Sequence, residues 1–274
     1  DAFGRVFGEP VGAVTQQFEP AAAIRAANAV MHYSAVIDAG GRRLRFKSLV
    51  RRLYGFRDCK VKVGREEDDD AKRLRTIRRW IGPRVDLRID ANGAWHAANA
   101  RQKIESLTGS RISCVEQPLA HDELPALAEL RKRVAISVML DESLTSMSDA
   151  ETAAACEACD LFNIRLSKCG GFLASVRLAA FAHAHGLGYQ LGCHPGESGI
   201  LSAAGRHWAA SVAGIRYLEG SYDRHLFRRL VTNEDITFGY GGRAPALAGP
   251  GLGVTIATAG LAEHATTERR FDVA

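Results

Sequence analysis

Short apolar, β-rich runs alternate with longer amphipathic runs from residue 31 onward. The strand-like runs are HYSAVI (32–37), CKVKV (59–63), VDLRID (85–90), ISCVEQ (112–117), SVMLDE (137–142), LFNIRL (161–166), GYQLGC (188–193) and IRYLEG (215–220). Between them lie helical patterns such as DDDAKRLRTIRRWIG, HAANARQKIESLTG, LPALAELRKRV, SDAETAAACEAC, FLASVRLAAFAHAHG and ILSAAGRHWAAS. Many open on acidic or small polar residues and several close on glycine, as helix ends favour. Eight such units predict an α/β chain folded as a (β/α)8, TIM-like barrel. A doubly wound open sheet is the competing arrangement. It usually carries GxGxxG after its first strand, and DAGGRR (38–43) lacks that pattern.

Alternation within CKVKVG puts Lys60 and Lys62 on one face of a strand and Val61 and Val63 on the other. A buried, unpaired ammonium costs on the order of several kcal/mol. Either the strand is a solvated edge or something negative sits opposite the lysines. Lys62, Asp90, Glu116, Asp141 and Lys168 each fall at or near the C-terminal end of a successive strand candidate, with spacings of 28, 26, 25 and 27 residues. At that end of a barrel, side chains converge on one mouth. Five ionisable groups are therefore expected to meet there.

Composition adds limits. The 274 residues are 46% hydrophobic and 24% charged, ordinary for a soluble globular chain of one large domain, or one domain plus a remnant. No apolar run approaches the roughly 18–20 residues of a membrane span, and the opening DAFGRVFGEP does not read as a signal segment. A cytoplasmic location with reduced thiols is expected for the six cysteines at 59, 114, 156, 159, 169 and 193. Cys156 and Cys159 form a CxxC with no second pair at zinc-finger spacing. The net charge of +5 is dispersed, which argues against nucleic acid as a partner. Only seven of the 36 basic residues are lysine, yet three of those stand at 60, 62 and 168. Lysine can give up its proton at accessible pH, and arginine cannot.

Three converging carboxylates without His or Cys make an oxygen-only site suited to Mg2+, with Mn2+ as a substitute. Lys60 and the metal are expected to depress the pKa of Lys62 and make it basic. Lys168 faces it from four strands on. The arrangement suits removal of a proton next to a carboxylate and stabilisation of the resulting enediolate. The second lysine would return the proton on the other face or stabilise an anionic intermediate. Asn92 is a candidate for orienting a ligand, and equally a turn residue in Asn-Gly. Glu142 and Gln117 follow expected ligands and are candidates for hydrogen bonding behind them. His194 and Glu197, in a Gly/Pro-rich loop after strand seven, are candidates for substrate contact. His183 and His185 fall in a helix and read as solvated or packed.

These motifs resemble the enolase superfamily, in its muconate-lactonizing subgroup, where a Lys or His base works with Mg2+. The subgroup's KxK on strand two is matched by Lys60-Val61-Lys62, and its Asp, Glu and Asp ligands by Asp90 in DLRIDANGAW, Glu116 in CVEQPL and Asp141 in MLDES. Its strand-six lysine before a glycine pair is matched by Lys168 in NIRLSKCGG, its strand-seven run by LGCHPGESGI, and its C-terminal end by PGLGV (250–254). The resemblance implies that Lys62 and Lys168 are the acid/base pair, that Asp90, Glu116 and Asp141 bind Mg2+, and that Lys60 is an auxiliary cation. Members resembling mandelate racemase use a His–Asp dyad on strands seven and six, and Lys168 argues against that branch.

The resemblance further implies a small carboxylate substrate and a homo-oligomer, with no nucleic-acid or membrane partner. The reaction would be cycloisomerisation, racemisation or epimerisation, or dehydration. Dipeptide epimerases of the subgroup usually carry Asp-x-Asp on strand eight. LEGSYDRHL instead has Glu219 and Asp223 four apart, which weakens that assignment. Residues 1–24 are expected to be the end of a capping domain or a linker, 25–226 the barrel, and 227–274 a segment packing toward the cap. On this reading the chain holds only a remnant of the cap, as a fragment or a short variant. Two other functions compete: a metal-binding barrel without turnover that serves as a partner module, and a Schiff-base lysine aldolase. Imine chemistry needs no metal, so the carboxylates argue against the aldolase.

Overall fold

The computed structural model describes residues 1–37, 41, 43–65 and 69–267. Most of the DAGGRR turn, the first Asp of the DDD run and the last seven residues of the C-terminal segment lie outside the described residues. Eight parallel strands pair in sequence order: β1 (Ala35–Ile37), β2 (Asp58–Lys62), β3 (Asp86–Asp90), β4 (Ile112–Glu116), β5 (Ser137–Leu140), β6 (Leu161–Ile164), β7 (Gly188–Leu191) and β8 (Ile215–Leu218). Each is followed by a helix: α1 (Leu44–Leu53), α2 (Asp70–Ile81), α3 (Ala97–Leu107), α4 (Leu124–Arg131), α5 (Met147–Ala155), α6 (Gly171–Ala184), α7 (Gly199–Ser211) and the single turn α8 (Asp223–Leu226). The sheet curls until its edges meet, where the Ser34 N–H donates to the Leu218 carbonyl at 2.7 Å.

The first strand departs from expectation. HYSAVI does not run as one strand, because Val30–His32 pairs antiparallel with Arg243–Pro245 in a separate ribbon. Successive donors explain the break. The Tyr33 N–H goes to the Gly242 carbonyl at 2.7 Å, whereas the Ser34 N–H goes to Leu218. Neighbouring residues thus serve different sheets. Gly242 is required at this crossing. Its φ is +70°, and a Cβ there would lie 2.1 Å from the Tyr33 carbonyl oxygen.

Alternation sorts the strands into two faces. Val61, Ile89, Val115, Val138, Phe162 and Ile164 point outward and are buried with the helices in the main core. Cys114, Met139, Leu161 and Tyr217 form a separate apolar cluster contributed by β4, β5, β6 and β8. Local chemistry sets the helix ends. Asp69 accepts the Lys72 N–H at 2.9 Å to open α2, and Ser146 and Asp149 form a reciprocal capping box at α5. The two terminal segments meet through Val11 N–H to the Gly251 carbonyl (2.8 Å) and Gly251 N–H to the Glu9 carbonyl (2.9 Å). All six cysteines are unpaired. Among the described residues no helix is long and apolar enough to cross a membrane.

Trp208 of α7 is fully buried and stacks edge-on against Tyr189 of β7, with ring centroids 6.4 Å apart. Trp208→Ala removes that packing and is expected to cost about 3–5 kcal/mol. Urea unfolding followed by far-ultraviolet circular dichroism should show the lowered midpoint.

Candidate active site

The β2 alternation places Lys60 inside the curled sheet, opposite the fully buried Val61. Its ammonium lies 3.1 Å from Glu116, 2.9 Å from Glu219 and 3.4 Å from Asp90. Negative groups therefore do sit opposite, and β2 is not a solvated edge. Arg88, at the centre of β3, is fully buried. It donates to Glu219 and to Asp58, both at 2.6 Å, with its guanidinium 4.3 Å over the Tyr217 ring. Burial alone would lower the pKa of Lys60, but Glu116, Glu219 and Asp90 outweigh it and hold the ammonium charged. Burial would likewise raise the Glu219 carboxyl, yet Lys60 and Arg88 pull it well below the usual carboxylate range. Glu116 goes the other way. Its burial, with Asp90, Glu219 and Asp141 nearby, outweighs Lys60 and pushes its carboxyl up.

Nearer the C-terminal mouth, Lys168 donates to the Asp141 carboxylate at 2.7 Å, to the Asp141 carbonyl, and to the Asn163 carbonyl at 3.1 Å. Arg165 of the same segment donates to the other Asp141 oxygen and lies 3.7 Å from Glu116. Asn163 donates to Glu116 at 2.8 Å. Gln117 accepts the Asp141 N–H at 2.9 Å and so fixes the backbone that carries this carboxylate. Across the mouth, half-buried Lys62 donates to Asn92 Oδ1 at 3.2 Å. Asn92 in turn donates to Glu142 at 3.1 Å, and its N–H to Asp90 at 3.0 Å. Its left-handed φ of +45° suits Asn, so it serves as both turn residue and bridge. His194 and Glu197 both meet Ser167 Oγ, at 2.7 and 2.8 Å, next to Lys168. His185 packs on Phe181 of its own helix at 3.9 Å.

Lys62, Asp90, Glu116, Asp141, Lys168, Asn92, Glu142, His194 and Glu197 thus lie at or beyond the C-terminal strand ends, whereas Lys60 lies one layer deeper, inside β2. Arg88, Asn163 and Arg165 were missed, and Glu219 was weighed only as part of an epimerase pattern. The signal for the first three was the same alternation that paired Lys60 with Lys62. Arg88 lies two before Asp90, and Asn163 and Arg165 lie on one parity leading to Lys168.

Ion pairs link five carboxylates, Asp58, Asp90, Glu116, Asp141 and Glu219, with four cations, Lys60, Arg88, Arg165 and Lys168. Among the described residues no three His, Cys, Asp or Glu side chains are already gathered as a ligand set, and the carboxylates turn onto cationic side chains. The residues nevertheless fit a hard divalent cation. The donors are all oxygen, carboxylates outnumber their cations, and buried Asp90 Oδ2 makes no hydrogen bond.

A curled parallel sheet with ionisable residues at successive strand ends defines a barrel of the class whose chemistry sits at the C-terminal mouth. The family described as Enolase C-terminal domain-like matches residues 45–260. The chain belongs to this family, within the mandelate racemase and muconate lactonizing enzyme group of the enolase superfamily. It is 33% identical over 191 residues to an N-succinyl-L-Arg/Lys racemase of Bacillus cereus, covering 69% of this chain and 51% of that protein. It is 31% identical over 190 residues to a muconate cycloisomerase of Rhodococcus opacus, covering 68% and 50%. A solved dipeptide epimerase from Cytophaga hutchinsonii, complexed with Mg and the dipeptide D-Ala-L-Val, superposes with a TM-score of 0.85 at 25% identity, over 96% of this chain and 69% of that one. The chain spans about half the length of the curated relatives it matches.

Glu219→Gln would leave Lys60 and Arg88 short of a buried counter-charge and is expected to cost about 3–5 kcal/mol. Because the folded-state pKa of Glu219 is depressed to about 2, its contribution is full above the unfolded value near 4.3 and is lost as pH falls toward about 2. Urea midpoints measured between these values should decline with acid more steeply in the native chain than in the variant.

Proposed function

We propose that this chain is the catalytic barrel of a Mg2+-dependent enzyme that abstracts the proton α to the carboxylate of a small substrate. The observation that carries this reading is the placement of two lysines on opposite sides of one carboxylate-lined mouth, Lys62 ending β2 and Lys168 following β6, four strands away. Asp90, Glu116 and Asp141 would hold the metal, which supplies a Lewis acid for the negative charge that develops on the substrate carboxylate.

The lysines are held differently. Among the described residues the Lys62 ammonium has one hydrogen-bond partner, Asn92, which a substrate carbon acid would replace. Lys168 is tied to three oxygens and must be released from Asp141 before it can accept a proton. Lys62 is therefore the base, and Lys168 is the opposing acid or a fixed cation. Lys60, buried and locked between carboxylates, adds positive charge without exchanging its own proton. Asn92, Glu142, His194 and Glu197 border the mouth and orient the lysines or the substrate. The relatives include a racemase, an epimerase and a cycloisomerase, and inverting the α-carbon of an amino acid by proton transfer calls for this α-proton step. The same arrangement disfavours a Schiff-base aldolase, which would need no carboxylate cluster. We also assign residues 1–24 to the exit of a capping domain and 227–274 to a segment that packs toward it, supported by the contact of Glu9 and Val11 with Gly251.

Asp90→Ala, Glu116→Ala and Asp141→Ala should each weaken Mg2+ binding in calorimetry by at least about tenfold and slow α-proton exchange by orders of magnitude. Unchanged Mg2+ affinity in all three would refute the ligand assignment.

In D2O, proton NMR of N-succinyl amino acids and dipeptides should show α-proton exchange that is lost in Lys62→Ala. For a two-base racemase or epimerase, Lys168→Ala would stop exchange from one enantiomer and spare the other. Equal loss from both enantiomers would make Lys168 an electrostatic stabiliser, as in a cycloisomerase or dehydratase.

A further inference from the structure

We propose that the opposite, N-terminal end of the strands carries a second ligand site, a cavity of about 450 Å3 that takes a small carboxylate with a short apolar tail. This inference rests on that cavity alone and is independent of the chemistry assigned to the mouth. Asp58 and Asp86, which open β2 and β3, line it together with Arg57, Arg216, Tyr217 and His32. Both carboxylates accept a donor from inside the sheet, a guanidinium for Asp58 and a neutral hydroxyl for Asp86. Asp58 accepts from Arg88 at 2.6 Å, and Asp86 accepts the Tyr217 hydroxyl at 3.0 Å.

The two arginines are left over. Among the described residues neither Arg57 nor Arg216 has a carboxylate partner within ion-pair distance, and both are exposed. Arg216 is nevertheless held in place, with its guanidinium 5.5 Å over the Tyr217 ring at the cavity wall. The pKa of His32 is lowered first by its burial and then by Arg57 and Arg243, against the opposing pull of Asp58. Its buried Nε2 has no hydrogen-bond partner.

Arg216 also leans on the Tyr217 hydroxyl and feels the Asp86 carboxylate, but among the described residues neither guanidinium fork closes an ion pair, and such forks suit a carboxylate, which each can grip through two N–H groups. The remaining wall, from Met31, Val212, Ile215 and Leu218, is apolar and suits an alkyl chain. A bare inorganic anion would use the arginines and leave that wall empty.

Isothermal calorimetry of the full chain with hexanoate at low ionic strength tests the site. Arg57→Gln/Arg216→Gln should weaken hexanoate binding by at least about tenfold, whereas Lys62→Ala/Lys168→Ala, which alters the mouth, should leave it unchanged. Inorganic phosphate should bind at least about tenfold more weakly than hexanoate, since it gains nothing from the apolar wall. Circular dichroism confirms that each variant is folded, and exposed arginines are tolerant positions. Three results would overturn the proposal: no hexanoate binding to the native chain, binding indifferent to the two arginines, or binding that disappears with the mouth lysines. Phosphate binding as tightly as hexanoate would overturn the apolar-tail specificity.

Discussion

A ladder of alternating charge runs up the inside of the curled sheet. It begins at Asp58, passes through Arg88, Glu219, Lys60, Glu116 and Arg165, and ends at Asp141 and Lys168. Any one of the buried groups would be costly to place there alone. Each is tolerable because another strand supplies its counter-charge. The partners come from far apart in the strand order, since Glu219 follows β8 while Lys60 and Arg88 belong to β2 and β3. Those contacts exist only if the sheet curls far enough to bring its last strand beside its first. The curl and the charge ladder thus require each other.

The ladder also shapes the chemistry at the mouth. Beside its lower end, Cys114, Met139, Leu161 and Tyr217 form an apolar cluster, with Cys114 in register with Arg88. In its middle, Lys60 and Arg88 are immobilised by several acceptors each and act as fixed positive charge. Toward the top the pairing is uneven. Among the described residues the Lys62 ammonium keeps a single hydrogen bond, and Asp90 Oδ2, 3.4 Å from Lys60, makes none. Lys168 is instead tied to three oxygens, and Glu116 and Asp141 are each held by two or more donors. A deeply placed ionisable group must be paired, so any ligand taken by these groups has to displace one of their partners.

Much of this was legible in the chain itself. The period of two in CKVKVG put Lys60 and Lys62 on one face, and the regular spacing from Lys62 to Lys168 put five ionisable groups on one end of consecutive strands. The (β/α)8 pattern also emerged from strand and helix periods. Legibility failed first at HYSAVI, where an unbroken strand-like run hides a change of hydrogen-bond partner between Tyr33 and Ser34. It failed again at Arg88 and Arg165. An arginine inside a strand reads as a solvated residue unless its counter-charge is known, and the counter-charges lie 131 residues away in Glu219 and 24 residues away in Asp141.

The sequence by itself determined the order of elements, the parity of each strand and which residues occupy the strand ends, because these depend on local periodicity and on steric preferences of neighbouring residues. Tertiary structure alone decided who pairs with whom. Glu219 became the counter-charge of Lys60 and Arg88 only when the sheet curled. Lys168 became tethered at three oxygens, and Lys62 joined to Asn92, only when Asp141, Asn163 and Asn92 took their places. Among the described residues Arg57 and Arg216 close no ion pair at the lower cavity, where Asp58 turns onto Arg88 and Asp86 accepts the Tyr217 hydroxyl. Coulombic and hydrogen-bond partnerships of this kind act through space over a few ångströms, and no local pattern along the chain records which distant residues will come that close.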